Sequence, residues 1–154
     1  MKSILNISEA YSLALHAMAM IASNGQTASV TAHGIASKLG VSETHLSKVL
    51  QRLTRAGLLR SSRGPGGGFS LNRQASEITL LDIYESVEGP LRLDNCLIGT
   101  HICGGKSCVF DDLIDKVNGQ FKDYLEQTTV ERIKDVLGSD GHDQEDSADR
   151  RGKV

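Results

Sequence analysis

The sequence predicts a mainly α-helical fold with one small β hairpin. Apolar residues recur at helical spacing along most of the chain, and a glycine-rich stretch separates two short strand-like runs. Aromatic residues make up only 4% of the 154 residues, so the core has to be built from aliphatic side chains. A chain of this length is typical of one compact unit with an appendage, and it is too short for an enzyme-sized barrel.

The chain carries no pattern of a membrane or secreted protein. No uninterrupted apolar run approaches the ~18 residues that a membrane span needs, and residues 1–10 lack the hydrophobic core of a signal peptide. We therefore expect a cytoplasmic protein without membrane contact.

The small net charge of -2 hides an uneven distribution of charge along the chain. Residues 1–75 contain eight Lys/Arg and two Asp/Glu, whereas residues 76–137 contain six basic and twelve acidic side chains. Residues 138–154 contain three basic and five acidic side chains. A basic first half on a nearly neutral protein indicates one surface that binds a polyanion and another that does not.

Three helices are predicted in the first half of the chain. The first begins at Ser8, ends at Asn24-Gly25 and has an apolar face formed by Ala10, Leu13, Ala14, Ala17, Met18 and Ile21. The second is brief, ends at Gly40 and carries Ala32, Ile35, Ala36 and Leu39. The third begins after Ser42, ends at Ala56-Gly57 and buries Leu46, Val49, Leu50 and Leu53.

The second and third helices, separated by a short turn that contains glycine, match a helix-turn-helix. Opposite the apolar stripe, the third helix carries three cations and three hydrogen-bonding side chains, namely Thr44, His45, Lys48, Gln51, Arg52 and Arg55. An ordinary solvated face is the alternative, but such a face usually mixes both signs of charge. Because this one has no acid, we expect it to contact double-stranded DNA.

A two-stranded wing is predicted after the third helix. Leu58-Leu59 and Phe69-Ser70-Leu71 read as strands around the turn Arg63-Gly64-Pro65-Gly66-Gly67-Gly68. A nucleotide phosphate loop is a poor alternative, because no Lys-Ser/Thr pair follows the glycines; a plain hairpin turn remains open. Arg60 and Arg63 flank the turn, and they favour insertion into the narrower DNA groove.

Further helices are predicted in the second half. Thr79 and Asp82 form a capping-box pattern ahead of a helix that ends at Gly89-Pro90 and buries Leu80, Ile83, Tyr84 and Val87. A longer helix, of ~30 Å, is expected from Cys108 to about Thr128. Its apolar residues recur at steps of 4, 3, 4 and 3, the seam spacing of paired helices, at Phe110, Ile114, Val117, Phe121 and Tyr124.

We expect the long helix to mediate self-association, the alternative being that it lies on the core of its own domain. Val130, Ile133 and Val136-Leu137 predict one more short helix, which could pack back on the pair of long helices. Beyond Gly138 the composition is polar and acidic, which is typical of disorder.

All three cysteines, Cys96, Cys103 and Cys108, lie in one segment rich in glycine. Three thiols in a cytoplasmic protein cannot all pair internally, so a metal or redox site is the better explanation than disulfides, with inert buried thiols as the alternative. The spacing C-x6-C-x4-C lacks the short knuckle of structural zinc and favours an iron-sulfur cluster. If Cys108 begins a helix, the helix dipole stabilises its thiolate. A fourth ligand is not singled out; the candidates are His16, His101 and Asp111.

Taken together, the basic helix, the Arg63 to Phe69 wing and the three-cysteine segment resemble the Rrf-two family of bacterial winged-helix repressors. The resemblance runs from about Ser8 to Leu137. It implies a homodimer, built on the long helix, that binds a palindromic operator and changes its affinity with the state of an iron-sulfur cluster of two or four irons.

By position, the resemblance implies that the third helix, from Ser42 to Arg55, reads the major groove and that Arg63 with Pro65 forms the minor-groove wing. Cys96, Cys103 and Cys108 lie at positions similar to those of the cluster ligands in the family. The chain departs from the family's cluster regulator in the shifted middle cysteine, in Asp111 where that regulator has a histidine, and in Ser47 where it has an acidic base-reading residue.

The resulting prediction is a winged helix-turn-helix domain over residues 1–90, a cysteine-rich sensor loop over 91–108, dimerisation helices over 109–137 and a disordered tail over 138–154. We expect a non-enzymatic transcriptional repressor controlled by an iron-sulfur cluster. One alternative keeps DNA binding and senses thiol oxidation, zinc or a partner protein instead. A second alternative is a thiol enzyme that uses Cys103 or Cys108 as nucleophile and His101 as base.

Overall fold

The computed structural model of the chain describes residues 7–93, 110 and 112–136. The described part is mainly α-helical with one small antiparallel sheet, as the sequence predicts. Its helices and strands, in chain order, are α1 (Glu9–Ser23), α2 (Ala32–Leu39), α3 (Glu43–Arg55), β1 (Leu59–Ser62), β2 (Gly68–Leu71), α4 (Leu80–Glu88), α5 (Leu113–Gln127) and α6 (Val130–Ile133). Two 3-10 turns lie at Ala75–Glu77 and Lys134–Val136.

The predicted ends of the first four helices are confirmed. The Ser8 hydroxyl accepts a hydrogen bond from the Tyr11 backbone N–H at 3.0 Å and so caps α1. Gly40 closes α2 with a left-handed φ of 66°, where a side chain would be strained. The capping box at α4 is complete, since Thr79 and Asp82 each accept from the other's backbone N–H at 3.0 Å.

Helix α1 forms the centre of the core. Its buried side chains meet α3 and α4, where Leu46, Leu50, Leu53 and Ile83 are fully buried. Tyr11 is also buried; its hydroxyl donates to the Leu80 carbonyl at 3.2 Å, and its ring meets Tyr84 edge-on at 5.1 Å. Burial raises the pKa of the Tyr11 hydroxyl, so this group stays a neutral donor.

A backbone bridge ties the start of α4 to the junction between α5 and α6. Leu80 N–H donates to the Thr128 carbonyl, and Val130 N–H donates to the Ile78 carbonyl, both at 2.9 Å. As a result α6 packs against α1, and Val130 is fully buried in the core. The sequence predicts that the short helix could pack back on a pair of long helices; within the described residues its contacts are with α1 and with the two 3-10 turns.

Helix α5 begins at Leu113, so the prediction that the long helix starts at Cys108 is wrong. Among the residues before it, Phe110 and Asp112 lie in a turn closed by a 2.9 Å hydrogen bond from Leu113 N–H to the Phe110 carbonyl. Aspartate favours helix starts over helix interiors, and the Asp112 carboxylate pairs with Lys116 one turn later at 2.6 Å. With 15 residues, α5 is about 22 Å long, shorter than the ~30 Å expected.

Candidate nucleic-acid interface

Helix α3 is held by its apolar side and presents its polar side to solvent. The Ser42 hydroxyl caps the helix by accepting from His45 N–H at 3.5 Å, and Glu43 lies in the first turn, where a negative charge suits the helix dipole. Leu46, Val49, Leu50 and Leu53 are all buried, as predicted. Their burial fixes the rotation of α3 about its axis and therefore decides which residues face outward.

The side of α3 directly opposite the buried stripe forms what we call the outer face of α3. Its residues, each of them exposed, are Thr44, Lys48, Gln51 and Arg55. The face combines two cations with a hydroxyl and an amide and contains no carboxylate. Such a combination can bind phosphates through its cations and base edges through its hydrogen-bonding groups.

The remaining two predicted contact residues of α3 lie on one flank and contact their own chain. His45 Nδ1 is 3.7 Å from the Glu9 carboxylate, and Arg52 Nη1 donates to the Val87 carbonyl at 3.0 Å. The sequence could not separate this flank from the outer face, because the difference depends on where α1 and α4 pack.

The wing is a hairpin whose two strands pair in register from Leu59 opposite Leu71 to Ser62 opposite Gly68. Arg63 and Pro65 are exposed at its tip. Gly64 and Gly66 both adopt positive φ, at 90° and 76°, which allows the tight reversal between the strands. The tip therefore presents an arginine on a loop with little side-chain bulk beside it.

The sequence did not predict a third segment in the wing. Val30, just before α2, exchanges two backbone hydrogen bonds with Phe69, at 2.8 and 2.9 Å. This bridge joins the wing directly to the helix-turn-helix. The β-branched pair Val30-Thr31 was the available signal, but two residues are too few for a strand to be predicted.

Two further charged side chains near the interface, Arg60 and Glu43, make contacts within the chain. Arg60 Nε donates to the Ser70 hydroxyl across the hairpin at 2.9 Å. Glu43, at the start of α3, lies 3.0 Å from His33 Nδ1 on α2. The Glu43 carboxylate therefore contacts a histidine of α2, and it does not belong to the outer face of α3.

The proposed metal ligands Cys96, Cys103 and Cys108, and the candidates His101 and Asp111, lie outside the described residues. Within residues 7–93, 110 and 112–136, no group of three or more His, Cys, Asp or Glu could hold a metal ion. His16 is described and exposed on α1. Its Nδ1 lies 2.7 Å from the Ser12 carbonyl, which can only accept, so Nδ1 is the donor; in a neutral imidazole the lone pair is then on Nε2.

Helix α5 exposes a row of large apolar side chains that we call the apolar stripe of α5, formed by Leu113, Ile114, Val117, Phe121 and Tyr124. Leu113 is 51% exposed, Val117 44% and Tyr124 53%, whereas Phe121 is partly covered by the core. Leu113 was not in the predicted seam. Phe110, which was, lies before the helix at 45% exposure.

None of the helices in residues 7–93 and 112–136 combines the length and the apolar composition of a membrane span.

The small sheet, the helix-turn-helix and the polar outer face define the class of winged-helix, DNA-binding transcriptional regulators. The chain belongs to the Rrf2 family, whose model, described as an iron-dependent transcriptional regulator, matches residues 7–135. The resemblance noted in the sequence is thereby confirmed.

Individual relatives agree with this assignment. An HTH-type transcriptional regulator of Neisseria meningitidis serogroup A is 33% identical over 120 residues, which cover 78% of this chain and 81% of the relative. The regulator IscR of Pectobacterium carotovorum is 30% identical over 141 residues, covering 90% and 85%. Relatives that match along most of the chain are thus named as transcriptional regulators.

Solved structures agree as well. CymR, the global cysteine regulator of B. subtilis, matches with a TM-score of 0.73 and 26% identity, over 86% of this chain and 98% of that one. IscR of T. potens matches with a TM-score of 0.68 and 26% identity, over 91% and 94%.

Proposed function

We propose that this Rrf2-family regulator is a homodimeric repressor whose affinity for a palindromic operator is set by an iron-sulfur cluster on Cys96, Cys103 and Cys108. The observation that carries the DNA-binding part is the outer face of α3, which is exposed and free of carboxylates. In a helix-turn-helix this face is the one that meets base edges in the major groove.

The wing supports a second contact with the duplex. Arg63 and Pro65 are exposed on a turn that the Val30 bridge holds against the helix-turn-helix. An arginine on such a turn fits the minor groove next to the major groove that α3 occupies.

The apolar stripe of α5 supports the homodimer. Exposed leucine, valine and tyrosine on one helix face are costly in water, and a second copy of the same stripe would cover them. A palindromic operator suits this symmetry, because two recognition helices about 34 Å apart reach successive turns of the major groove.

The donor set supports the cluster. Three thiolates are the ligands that iron-sulfur clusters prefer, and His16 adds an exposed imidazole whose Nε2 is free to ligate because Nδ1 is engaged by Ser12. When bound, such a cluster supplies a redox-active iron centre. The cysteine segment joins α4 to α5, so a change in its conformation would alter the angle between α5 and the winged domain.

DNA binding is tested by the salt dependence of affinity. If each protomer places four cations on phosphates, a dimer makes about eight contacts, and log K falls with log salt at a slope of about -7. The measurement is fluorescence anisotropy on a duplex selected from a random library by the protein itself. A slope near zero would contradict the proposal.

The cluster is tested by anaerobic purification of the chain. We expect brown protein that contains iron and acid-labile sulfide, and a colourless Cys103→Ser variant. Colourless wild-type protein with stoichiometric zinc would overturn the cluster assignment without touching DNA binding.

A second sensing mode is supported by the structural neighbour named as a cysteine regulator. In that mode the thiols of the cysteine segment respond directly to oxidation, and no metal is held. Iron-free protein whose DNA affinity changes on mild oxidation, and is restored by a thiol reductant, would favour this mode over the cluster.

A further inference from the structure

Arg52 is an arginine of the recognition helix whose guanidinium binds the protein's own backbone. Its Nη1 donates to the carbonyl of Val87 at 3.0 Å. Val87 lies in the last turn of α4, where backbone carbonyls lack a partner within the helix. A cation at this end also suits the negative pole of the helix dipole, so Arg52 acts as a side-chain cap on α4.

The contact belongs to a small polar cluster that we call the α1/α3/α4 junction, formed by Ser8, Glu9, His45, Arg52 and Glu88, with the Val87 carbonyl. The Ser8 hydroxyl donates to the Glu88 carboxylate and joins the start of α1 to the end of α4. His45 Nδ1 lies 3.7 Å from Glu9. These contacts connect one flank of α3 to both neighbouring helix ends.

The position of the junction separates Arg52 from the cations of the outer face. All three cations are exposed, but Lys48 and Arg55 extend from the side of α3 opposite the buried stripe, whereas Arg52 lies on the flank and directs its Nη1 to α4. The buried stripe fixes the rotation of α3, but apolar contacts alone leave its tilt less well defined. A hydrogen-bonded cation at the end of α4 restricts that tilt.

We propose that Arg52 is a positioning residue that sets how α3 enters the major groove by binding the end of α4, and that it does not contact DNA phosphates. The inference rests on the proposed DNA binding and deepens it. Base readout requires several side chains to be in register at once, whereas non-specific binding needs only charge near the backbone. Loss of Arg52 therefore affects sequence-specific affinity alone.

The test compares full-length Arg52→Gln with the wild type on two duplexes. One is the duplex selected by the wild-type chain from a random library, and the other has the same composition in scrambled order. We expect Arg52→Gln to lose about tenfold or more in affinity for the selected duplex, with affinity for the scrambled duplex and the salt slope unchanged. Arg52→Lys, which keeps a donor cation, should recover most of the loss.

Lys48→Gln on the outer face is the matched control. It removes the same charge from the same helix, and we expect it to weaken binding to both duplexes and to make the slope shallower by about 1 per protomer. If Arg52→Gln behaves like this control, Arg52 is a phosphate contact and the inference is wrong. Equal binding by Arg52→Gln and wild type on both duplexes would also overturn it.

Two outcomes distinguish other failures. If Arg52→Gln loses affinity for both duplexes together with a large drop in Tm, Arg52 is simply a stability residue and the inference fails. If the wild-type chain enriches no sequence and binds neither duplex, the proposed DNA binding itself fails, and the role of Arg52 falls with it.

Discussion

Single residues in this fold are constrained by contacts that lie far away in the sequence. Gly68 has a φ of 153°, and a Cβ at this position would lie 2.6 Å from the Val30 carbonyl oxygen. The sequence predicts a glycine-rich turn here from composition, but it gives no reason why this glycine in particular is needed. The reason is the Val30 bridge, and local patterns carry no information about such a pairing.

Thr128 is the opposite case, a buried residue whose hydroxyl group has no hydrogen-bond partner among the described residues. Among the described residues, its hydroxyl oxygen is buried without a hydrogen-bond partner, although its backbone carbonyl accepts from Leu80. We expect Thr128→Val to raise the free energy of unfolding by about 1 kcal/mol, because it removes an unsatisfied polar group while keeping the branched shape. Urea denaturation measures this change.

Thr79→Val is the matched control for that variant. The Thr79 hydroxyl is hydrogen-bonded to Asp82 N–H at the start of α4, so the same chemical change should lower stability by about 1 kcal/mol. Equal effects of the two substitutions would contradict the contrast between the two hydroxyls.

At the scale of elements, the sequence predicted helices whose starts carry a local signal, but it did not predict which elements those helices pack against. Ser8, Ser42 and Thr79 mark helix starts because their hydroxyls bond the backbone within one turn, so α1, α3 and α4 begin where the sequence indicates. The start of α5 was missed because Phe110 continues the apolar spacing although it lies in a turn. The packing of α6 on α1 depends on a bridge between distant residues and left no periodic trace.

Gly119 offers a test at this scale, since it lies within α5 on the side opposite the apolar stripe. A Cβ there would meet nothing within 4 Å. Gly119→Ala should therefore stabilise the protein by about 1 kcal/mol through helix propensity alone. The measurement is thermal unfolding followed by circular dichroism, and the oligomeric state should not change. A Gly119→Ala variant that is less stable than the wild type would contradict this prediction, because it would mean that another group occupies the space beside Gly119 in solution.

At the scale of the whole molecule, the uneven charge noted in the sequence matches a division of surfaces. The outer face of α3 and the wing carry cations, whereas the apolar stripe lies on a helix from the acidic part of the chain. Charge and composition predicted this division. The distinction between the outer face of α3 and the flank that carries His45 and Arg52 became visible only from the packing of α1 and α4. The candidate cluster site rests on the sequence alone.

The proposed dimer gives the prediction at this scale. Val117→Lys places a charge in the middle of the apolar stripe, and we expect sedimentation equilibrium to find a dimer for the wild type and a monomer for this variant. Asp123→Asn changes the net charge by the same amount on another face of α5 and should remain dimeric. A monomeric wild type, or a dimeric Val117→Lys, would contradict the role assigned to the stripe.

The backbone bridge at Thr128 has a mechanical consequence. It anchors the carboxyl-terminal end of α5 to Ile78 and Leu80, while the other end adjoins the cysteine segment. A rigid rod held at one end pivots there, and its far end travels most. The Thr128 bridge is thus a pivot point: in the proposed homodimer, displacements near Leu113 would rotate one winged domain relative to the other.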